Sequence, residues 1–381
     1  MNIRHTILAL LVVPLLFGCG KERPLTVDDG NMPILFSAAA SYEVSTKTFD
    51  PSDKMRPNNP RVLINEGNEV SVFGVHRPTI GYDPVYETLF YNRRLRCSSV
   101  ILDNPANPLS FNPESEDSSV WDYDPLEYWA NSGDYCFTAV APYTTGDATI
   151  NSAYELKISY RVGTNQDLMV ARAYRAEPAG GKDRVRLDFK HVTSAVRFLF
   201  GTASDEGDKY KLTSFRLENL SPRGTLTVDS RLSAAFDFSP SDGVNPAGPD
   251  YPLAWSAGAI GVLGTLFSWT ADASDPEKTI TYPSDEDDPD GYTHMGWYYM
   301  VPHELDAGAS IVFSVSYDGQ APVETVLNIS DRMTPAGEDE WSPNHVYNYF
   351  ITVSQSGADI QVIRTEWEPV SVTTDPITFE G

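Results

Sequence analysis

Residues 184–200 read Arg-Val-Arg-Leu-Asp-Phe-Lys-His-Val-Thr-Ser-Ala-Val-Arg-Phe-Leu-Phe, and their alternation decides the fold class. Val185, Leu187 and Phe189 alternate with Arg184, Arg186, Asp188 and Lys190. That is a period of two, so one face is apolar and the other charged. After a break at His191–Ser194, the alternation restarts with Val196, Phe198 and Phe200, and Arg197 points the other way. Two strands, or one strand with a kink, follow from this pattern, each burying one face against a partner sheet. Glu177 to Asp183, just ahead, is Glu-Pro-Ala-Gly-Gly-Lys-Asp, which has the composition of a loop. The stretch therefore reads as the opening strand of a second domain.

Working outward, 381 residues are long for one compact core, and two domains are the natural division. Tyr, Phe, Thr, Val and Ser are abundant, and 28 Pro with 26 Gly interrupt the chain often. That mixture favours many short strands joined by turns, and no long segment carries a helical stripe. The fold class expected is all-β. The net charge of −25 repels nucleic-acid phosphates and anionic lipid heads, so neither is an expected partner. The charge itself reads as a solubility device.

Residues 1–19 read as an export signal. Arg4 and His5 give a polar start, Ile7 to Phe17 are almost wholly apolar, and the run is too short to span a membrane as a helix. It ends Leu16-Phe17-Gly18-Cys19, which resembles the lipobox of bacterial lipoproteins, with Phe17 bulkier than usual. Cys19 would then be the lipidated first residue, anchoring a folded domain without a spanning helix. Residues 20–33 read as a polar tether. Ile34-Leu35-Phe36-Ser37-Ala38 is a first strand with Ile34, Phe36 and Ala38 on one face. Its short alternation and the Pro-rich stretch behind it place it at a sheet edge. Thr46-Lys47-Thr48-Phe49 follows in an extended setting, and Asp50 to Pro60 is loop.

Residues 34–178 form the first expected domain and residues 184–381 the second. In the first, strands are expected at Glu69–His76, Thr88–Arg96, Tyr135–Tyr143, Leu156–Val162 and Asp167–Ala173. Trp121, Tyr123, Tyr128 and Trp129 form an aromatic cluster that reads either as the capped end of a β-sandwich core or as a platform for stacking sugars. Cys97 and Cys136 lie at or in strands. Export permits a disulfide between them, and two buried thiols are the equal alternative. The second domain continues with strands at Lys211–Leu220, Thr225–Val228, Thr279–Tyr282, Trp297–Val301, Ile311–Tyr317, Val323–Ile329, Tyr347–Val353 and Ile360–Trp367. Val370, Val372, Ile377 and Phe379 mark a last alternating piece.

The motifs of catalysis are missing from the sequence. None of the six histidines has zinc-ligand spacing, and there is no nucleophile elbow, phosphate loop or dinucleotide fingerprint. Asp285 to Gly291 looks like a calcium loop, but read from Glu286, which puts acids at positions one, three and five and Gly at six, position twelve is Trp297 where a bidentate Glu is required. No cofactor or metal is expected, and a solvated acidic loop is the reading adopted.

Taken in order, one series of motifs resembles the fimbrillins, the pilins of type V pili on Gram-negative gut and oral anaerobes. The series is the lipobox at Cys19, Thr46-Lys47-Thr48-Phe49, Val72-Phe73-Gly74-Val75, Trp121-Asp122-Tyr123 with Tyr128-Trp129, and Tyr135-Cys136-Phe137-Thr138-Ala139. It continues with Asp167-Leu168-Met169, Leu187-Asp188-Phe189-Lys190-His191, Met300-Val301-Pro302, Trp341-Ser342-Pro343-Asn344-His345-Val346-Tyr347 and Trp367. The resemblance implies two transthyretin-like β-sandwiches in tandem, exported as an outer-membrane lipoprotein precursor. It also implies that a surface protease removes the lipidated segment with the first strand. The groove left open is then filled by a C-terminal strand of the next subunit, a case of β-augmentation. Ile34, Phe36 and Ala38 are the strand that leaves, and Val370 and Val372, or Ile377 and Phe379, are the replacement. Family stalk subunits are cut after an Arg, whereas the matching position here is Lys47. Arg61-Val62 is the nearest open Arg site, since Arg23 and Arg56 each precede Pro.

The expected function is a structural subunit of a surface fimbria, as stalk, accessory, tip or anchor, without enzymatic activity. Its partners are other pilus subunits, the outer membrane through the lipid, and a host or bacterial surface ligand. The rival from another class is a surface glycan-binding lipoprotein using Trp121, Tyr123 and Trp129. An exported hydrolase ranks behind both. Exposed coplanar rings would favour the glycan reading and buried rings the fimbrial one.

Overall fold

In a computed structural model, the chain is described over residues 32–40, 67–78, 86–100, 119–130, 133–151, 155–162, 167–175, 184–229, 253–257, 265–283, 291–330 and 340–366. Among these residues the fold is all-β, with no α-helix. The first nine strands are β1 (Phe36–Ala40), β2 (Glu69–Arg77), β3 (Glu87–Val100), β4 (Ser119–Asp122), β5 (Asp134–Ala141), β6 (Ala148–Ile150), β7 (Glu155–Arg161), β8 (Met169–Arg175) and β9 (Val185–His191). Next come β10 (Ser194–Thr202), β11 (Tyr210–Glu218), β12 (Arg223–Asp229), β13 (Leu253–Ala257), β14 (Thr265–Thr270), β15 (Lys278–Thr279) and β16 (Thr293–Met300). The last are β17 (His303–Glu304), β18 (Ser310–Tyr317), β19 (Val323–Asn328), β20 (Glu340–Trp341), β21 (His345–Ser354) and β22 (Gly357–Glu366).

Seven of these strands close into a barrel in the order β1-β4-β3-β2-β5-β8-β9. Alternation puts Tyr135, Phe137, Ala139 and Ala141 of β5 into its core, with Val70 and Val72 of β2, and Val185, Leu187 and Phe189 of β9. Gly74 of β2 has a steric role there. A Cβ at this position would stand 2.5 Å from the Phe90 ring and 3.1 Å from the Phe137 ring, so a side chain would push both aside.

β1 does not lie at a sheet edge. It has neighbours on both sides, β9 in parallel and β4 in antiparallel register. The correction has a physical reason: without β1, β4 and β9 would each present unpaired amides and carbonyls, and one strand between them satisfies both rows.

The Arg184–Phe200 stretch is two strands, β9 and β10, with Val192–Thr193 between them. β9, expected to open the second domain, pairs with β1 and β8 inside the barrel. The next strand, β10, carries Val196, Phe198 and Phe200 into a separate, larger core. β10 stands in a sheet of order β16-β10-β21-β22, facing one of order β14-β11-β18-β19 with β15 against β11. Ring contacts join the two: Phe198 to Phe215 at 5.2 Å and Phe200 to Phe313 at 5.1 Å between centroids. A third sheet, β13-β12-β7-β6, pairs strands from before residue 162 with strands from after residue 222. Leu156, Ile158 and Tyr160 of β7 therefore share the larger core with β10, β11 and β18.

The crossing from barrel to larger core is a buried polar joint. Asp167 takes a hydrogen bond from His191 Nδ1, and a second from Thr193 Oγ1 at 2.8 Å. The backbone between them is also held: Val192 N–H donates to Leu168 O at 3.0 Å, Trp255 Nε1–H to Val192 O at 2.8 Å, and Asn344 N–H to Thr193 O at 3.1 Å.

Candidate functional site: the slot that holds the first strand

β1 is placed by two different means on its two sides. Against β9 it makes a regular parallel ladder, with Phe36 opposite Val185, Ser37 opposite Arg186, Ala38 opposite Leu187 and Ala40 opposite Phe189. Val185 N–H extends the ladder by donating to Leu35 O at 2.7 Å. Against β4 there is one backbone register pair, Phe36 with Trp121. Side chains, with backbone bonds to the residues just ahead of β1, do the rest of the holding. Ser119 Oγ accepts from Ala38 N–H and donates to Ala38 O, both at 3.1 Å, and accepts from Trp121 Nε1–H at 3.0 Å. One hydroxyl with one proton and two lone pairs is thereby fully used. Tyr123 O–H donates to Ile34 O at 2.7 Å, and Ile34 N–H donates to Glu127 O at 2.9 Å. Burial pushes the Tyr123 hydroxyl up to about 12, so it remains a proton donor at any physiological pH.

The inner wall of the slot is aromatic. Phe36, fully buried, meets Phe90, Tyr123 and Phe137 edge-on at 5.6, 5.8 and 5.4 Å. Ile34 is equally buried, and Ala38, also buried, lies beside Ser119. Such edge-to-face pairs add about 0.5–1.5 kcal/mol each to the burial of the ring. The three residues expected on the inner face of the first strand are thus brought together in one continuous groove.

The aromatic cluster belongs to the wall of this slot. Trp121 is 1% exposed, and Tyr123 and Trp129 are each 8% exposed. Trp129 stands edge-on to Tyr135 at 86°. These three are buried rings and form no coplanar stacking surface, so the glycan platform fails on its own criterion. Tyr128 alone of the four is exposed.

Cys97 and Cys136 are both buried thiols, with no disulfide between them. Cys97 lies in the barrel core, whereas Cys136 Sγ lies on the outer face of β5, where Arg172 Nε–H reaches it at 3.4 Å. Side chains on opposite faces of a barrel wall cannot bridge. No group of three or more metal-ligating side chains is found among the described residues. Cys19, Lys47, Arg61, the Asp285–Asp290 loop, Val370, Val372, Ile377 and Phe379 lie outside the described residues.

Ser119 was not among the site residues expected from sequence, and Tyr123 was expected only as a ring of the glycan platform. Tyr123 stood in a quoted motif, but nothing in its spacing says that its hydroxyl reaches a carbonyl 89 residues away.

Residues 64–374 match the model of one protein family, described as fimbrillin-like. The chain belongs to the fimbrillin-like family. This fimbrillin-like chain is also similar to several solved structures. A Bacteroides uniformis protein assigned to cell adhesion has 13% identity, with 89% of this chain and 98% of that one covered and a TM-score of 0.47. A fimbrial protein from Bacteroides vulgatus has 14% identity, 87% and 99% coverage and a TM-score of 0.47. A fimbrial assembly protein from Parabacteroides distasonis has 9% identity, 88% and 96% coverage and a TM-score of 0.37. No curated protein matches the sequence.

Proposed function

We propose that this chain is a structural subunit of a surface fimbria that assembles by exchange of its first strand, mediates adhesion, and carries no catalytic activity. The observation that carries the reading is the seating of β1. It is five residues long, it closes an otherwise complete barrel, and its ladder is full on one side only. A strand of this kind is replaceable, because the residues that grip it belong to the remaining strands. Emptying the slot would uncover Ile34, Phe36 and Ala38 and the wall they touch. Each large side chain lost is worth roughly 1.5–3 kcal/mol, so a vacant slot is costly and refilling it is favourable. Family membership supports the same reading.

The remaining parts follow as proposals. Cys19 is the lipid-bearing residue that holds the precursor at the outer membrane. Lys47 and Arg61 both lie between the end of β1 at Ala40 and the start of β2 at Glu69, so a cut at either separates β1 from the chain of the barrel. The two halves are taken as tandem transthyretin-like sandwiches, the first drawn into a barrel by β1. Whether the subunit serves as stalk, accessory, tip or anchor depends on whether its lipidated segment is removed. The test is the state of the protein in surface fractions. Strand-exchanged polymers open slowly, so a ladder at subunit intervals should persist in mild detergent and collapse to one band on boiling. A single monomer band under both conditions would contradict the reading.

A further inference from the structure

The sheet β14-β11-β18-β19 ends on β19, so one side of that strand has no partner strand among the described residues. β19 pairs with β18 over six consecutive residues, with no shift of register. Ile329 N–H donates to Ala309 O at 2.9 Å, which continues the same register by one pair. In an antiparallel ladder, residues that exchange hydrogen bonds with the neighbour alternate with residues that do not. Val323, Thr325 and Leu327 therefore bond to β18, and the amides and carbonyls of Glu324, Val326 and Asn328 point out from the edge.

Nothing within β19 blunts this edge. Val323-Glu324-Thr325-Val326-Leu327-Asn328 contains no Lys and no Pro, the residues that usually protect an edge, and the ladder has no bulge. By contrast, the pairings of β14 and β16 carry register shifts, and β6 has three residues. Val323 and Val326 are 68% and 60% exposed, more than any other large apolar residue described. The one charge of the strand is already paired, since Glu324 accepts from Arg216 Nη1 at 2.8 Å. A row of outward backbone groups with two bare valines and little free charge fits another strand edge.

We propose that β19 is a lateral contact, through which two copies of this chain pair edge to edge and antiparallel about a two-fold axis perpendicular to the sheet. The second copy is the occupant because the strand is complementary to itself. A register centred on Glu324 would oppose two carboxylates, and one centred on Thr325 would lay each Glu324 against a Val326. Centred on Val326, the two valines cover each other and Glu324 stands opposite the neutral Asn328. The outward groups of all three residues are then bonded. Taken singly the contact is weak: one short strand a side is far below the about 800 Å² per partner of a stable interface. The net charge of −25 also repels the copies. The chain is therefore monomeric at micromolar concentration, and the contact counts where copies stand in a row and many act at once. It does not depend on the strand exchange proposed above.

The experiment is sedimentation equilibrium of the purified, uncut full chain, from about 10 μM to about 1 mM. A reversible dimer should appear in the upper decade, with a Kd on the order of 10⁻⁴ to 10⁻³ M. Raising salt from about 10 to about 150 mM should strengthen it, because screening relieves repulsion between like-charged copies. Val326→Pro should weaken it about tenfold or more with melting unchanged, since that N–H takes no part in the ladder with β18. Hydrogen exchange of the unaltered chain gives a second reading that needs no variant. The amides of Glu324, Val326 and Asn328 should exchange more slowly as concentration rises, and those of Val323, Thr325 and Leu327 should not change. A chain that stays monomeric throughout would overturn the proposal. So would a dimer indifferent to Val326→Pro, or protection that rises on other strands instead. A dimer that weakens with salt would also overturn it, by placing the contact between oppositely charged surfaces.

Discussion

Phe36 is enclosed by three rings that meet it edge-on, and its own strand supplies none of them. Phe36→Ala should therefore lower stability by about 3–5 kcal/mol, as a buried ring lost from a wall that cannot collapse. Urea unfolding checks this, and a loss under 1 kcal/mol would mean that the slot tolerates a void. Ser119 is the polar counterpart. Ser119→Ala leaves Ala38 N–H, Ala38 O and Trp121 Nε1–H without their hydroxyl, at a cost of about 1–3 kcal/mol by the same measurement. His303 gives a pH dependence. Burial holds its ring below the ordinary histidine value; Nδ1–H donates to Val301 O at 2.7 Å, and Nε2 is enclosed with no partner among the described residues. Because the folded form resists the second proton, its contribution is full above the unfolded value of about 6.5 and is lost as pH falls below it. The melting temperature should fall on acidification through this range, and His303→Asn should flatten that fall. An unchanged slope in the variant would assign the dependence to other groups. At this scale the inward residues Ile34, Phe36 and Ala38 were legible, because period-two alternation is a local signal. Ser119 was not, because its partner in β1 is 81 residues away and any Ser in a strand looks alike.

Among the elements, β9 and β10 were readable as strands down to the break between them, since Val185, Leu187 and Phe189 alternate on one side and Val196, Phe198 and Phe200 on the other. Which sheet each strand joins was not readable. β9 returns to the barrel and β7 leaves it, and neither choice is written in alternation, which reports a buried face but not the partner that buries it. The same limit explains the cysteines: each lies in a strand, but only the barrel wall puts Cys97 inside and Cys136 outside. The joint at His191–Thr193 follows from this rearrangement, and Asp167 is its acceptor for both side chains. Asp167→Ala should lower stability by about 3 kcal/mol, since it strips a buried histidine and a buried hydroxyl of their common partner. Denaturant unfolding checks it, and a change below 1 kcal/mol would show that the backbone bonds hold the crossing unaided.

For the molecule as a whole, the barrel and the larger core are joined by side-chain packing as well as by the chain crossing, because Phe73, Val140 and Val170 of barrel strands belong to the larger core, which also holds β7, paired with β12 from beyond residue 222. Anchoring at the membrane is a separate proposal, resting on Leu16 to Cys19 of the sequence. Cys19→Ala should abolish palmitate labelling and release the protein from the membrane fraction, and label that persists in the variant would contradict the lipobox. The central claim is that β1 is an exchangeable stave of the barrel. The measurement that tests it most directly is the mass of the purified full chain, by light scattering, before and after a single cut between Ala40 and Glu69. The account predicts monomers before the cut and chains of subunits after it, with the cut fragment that bears residues 34–40 displaced into solution. A cut protein that stays a folded monomer, with that fragment still bound, would contradict it.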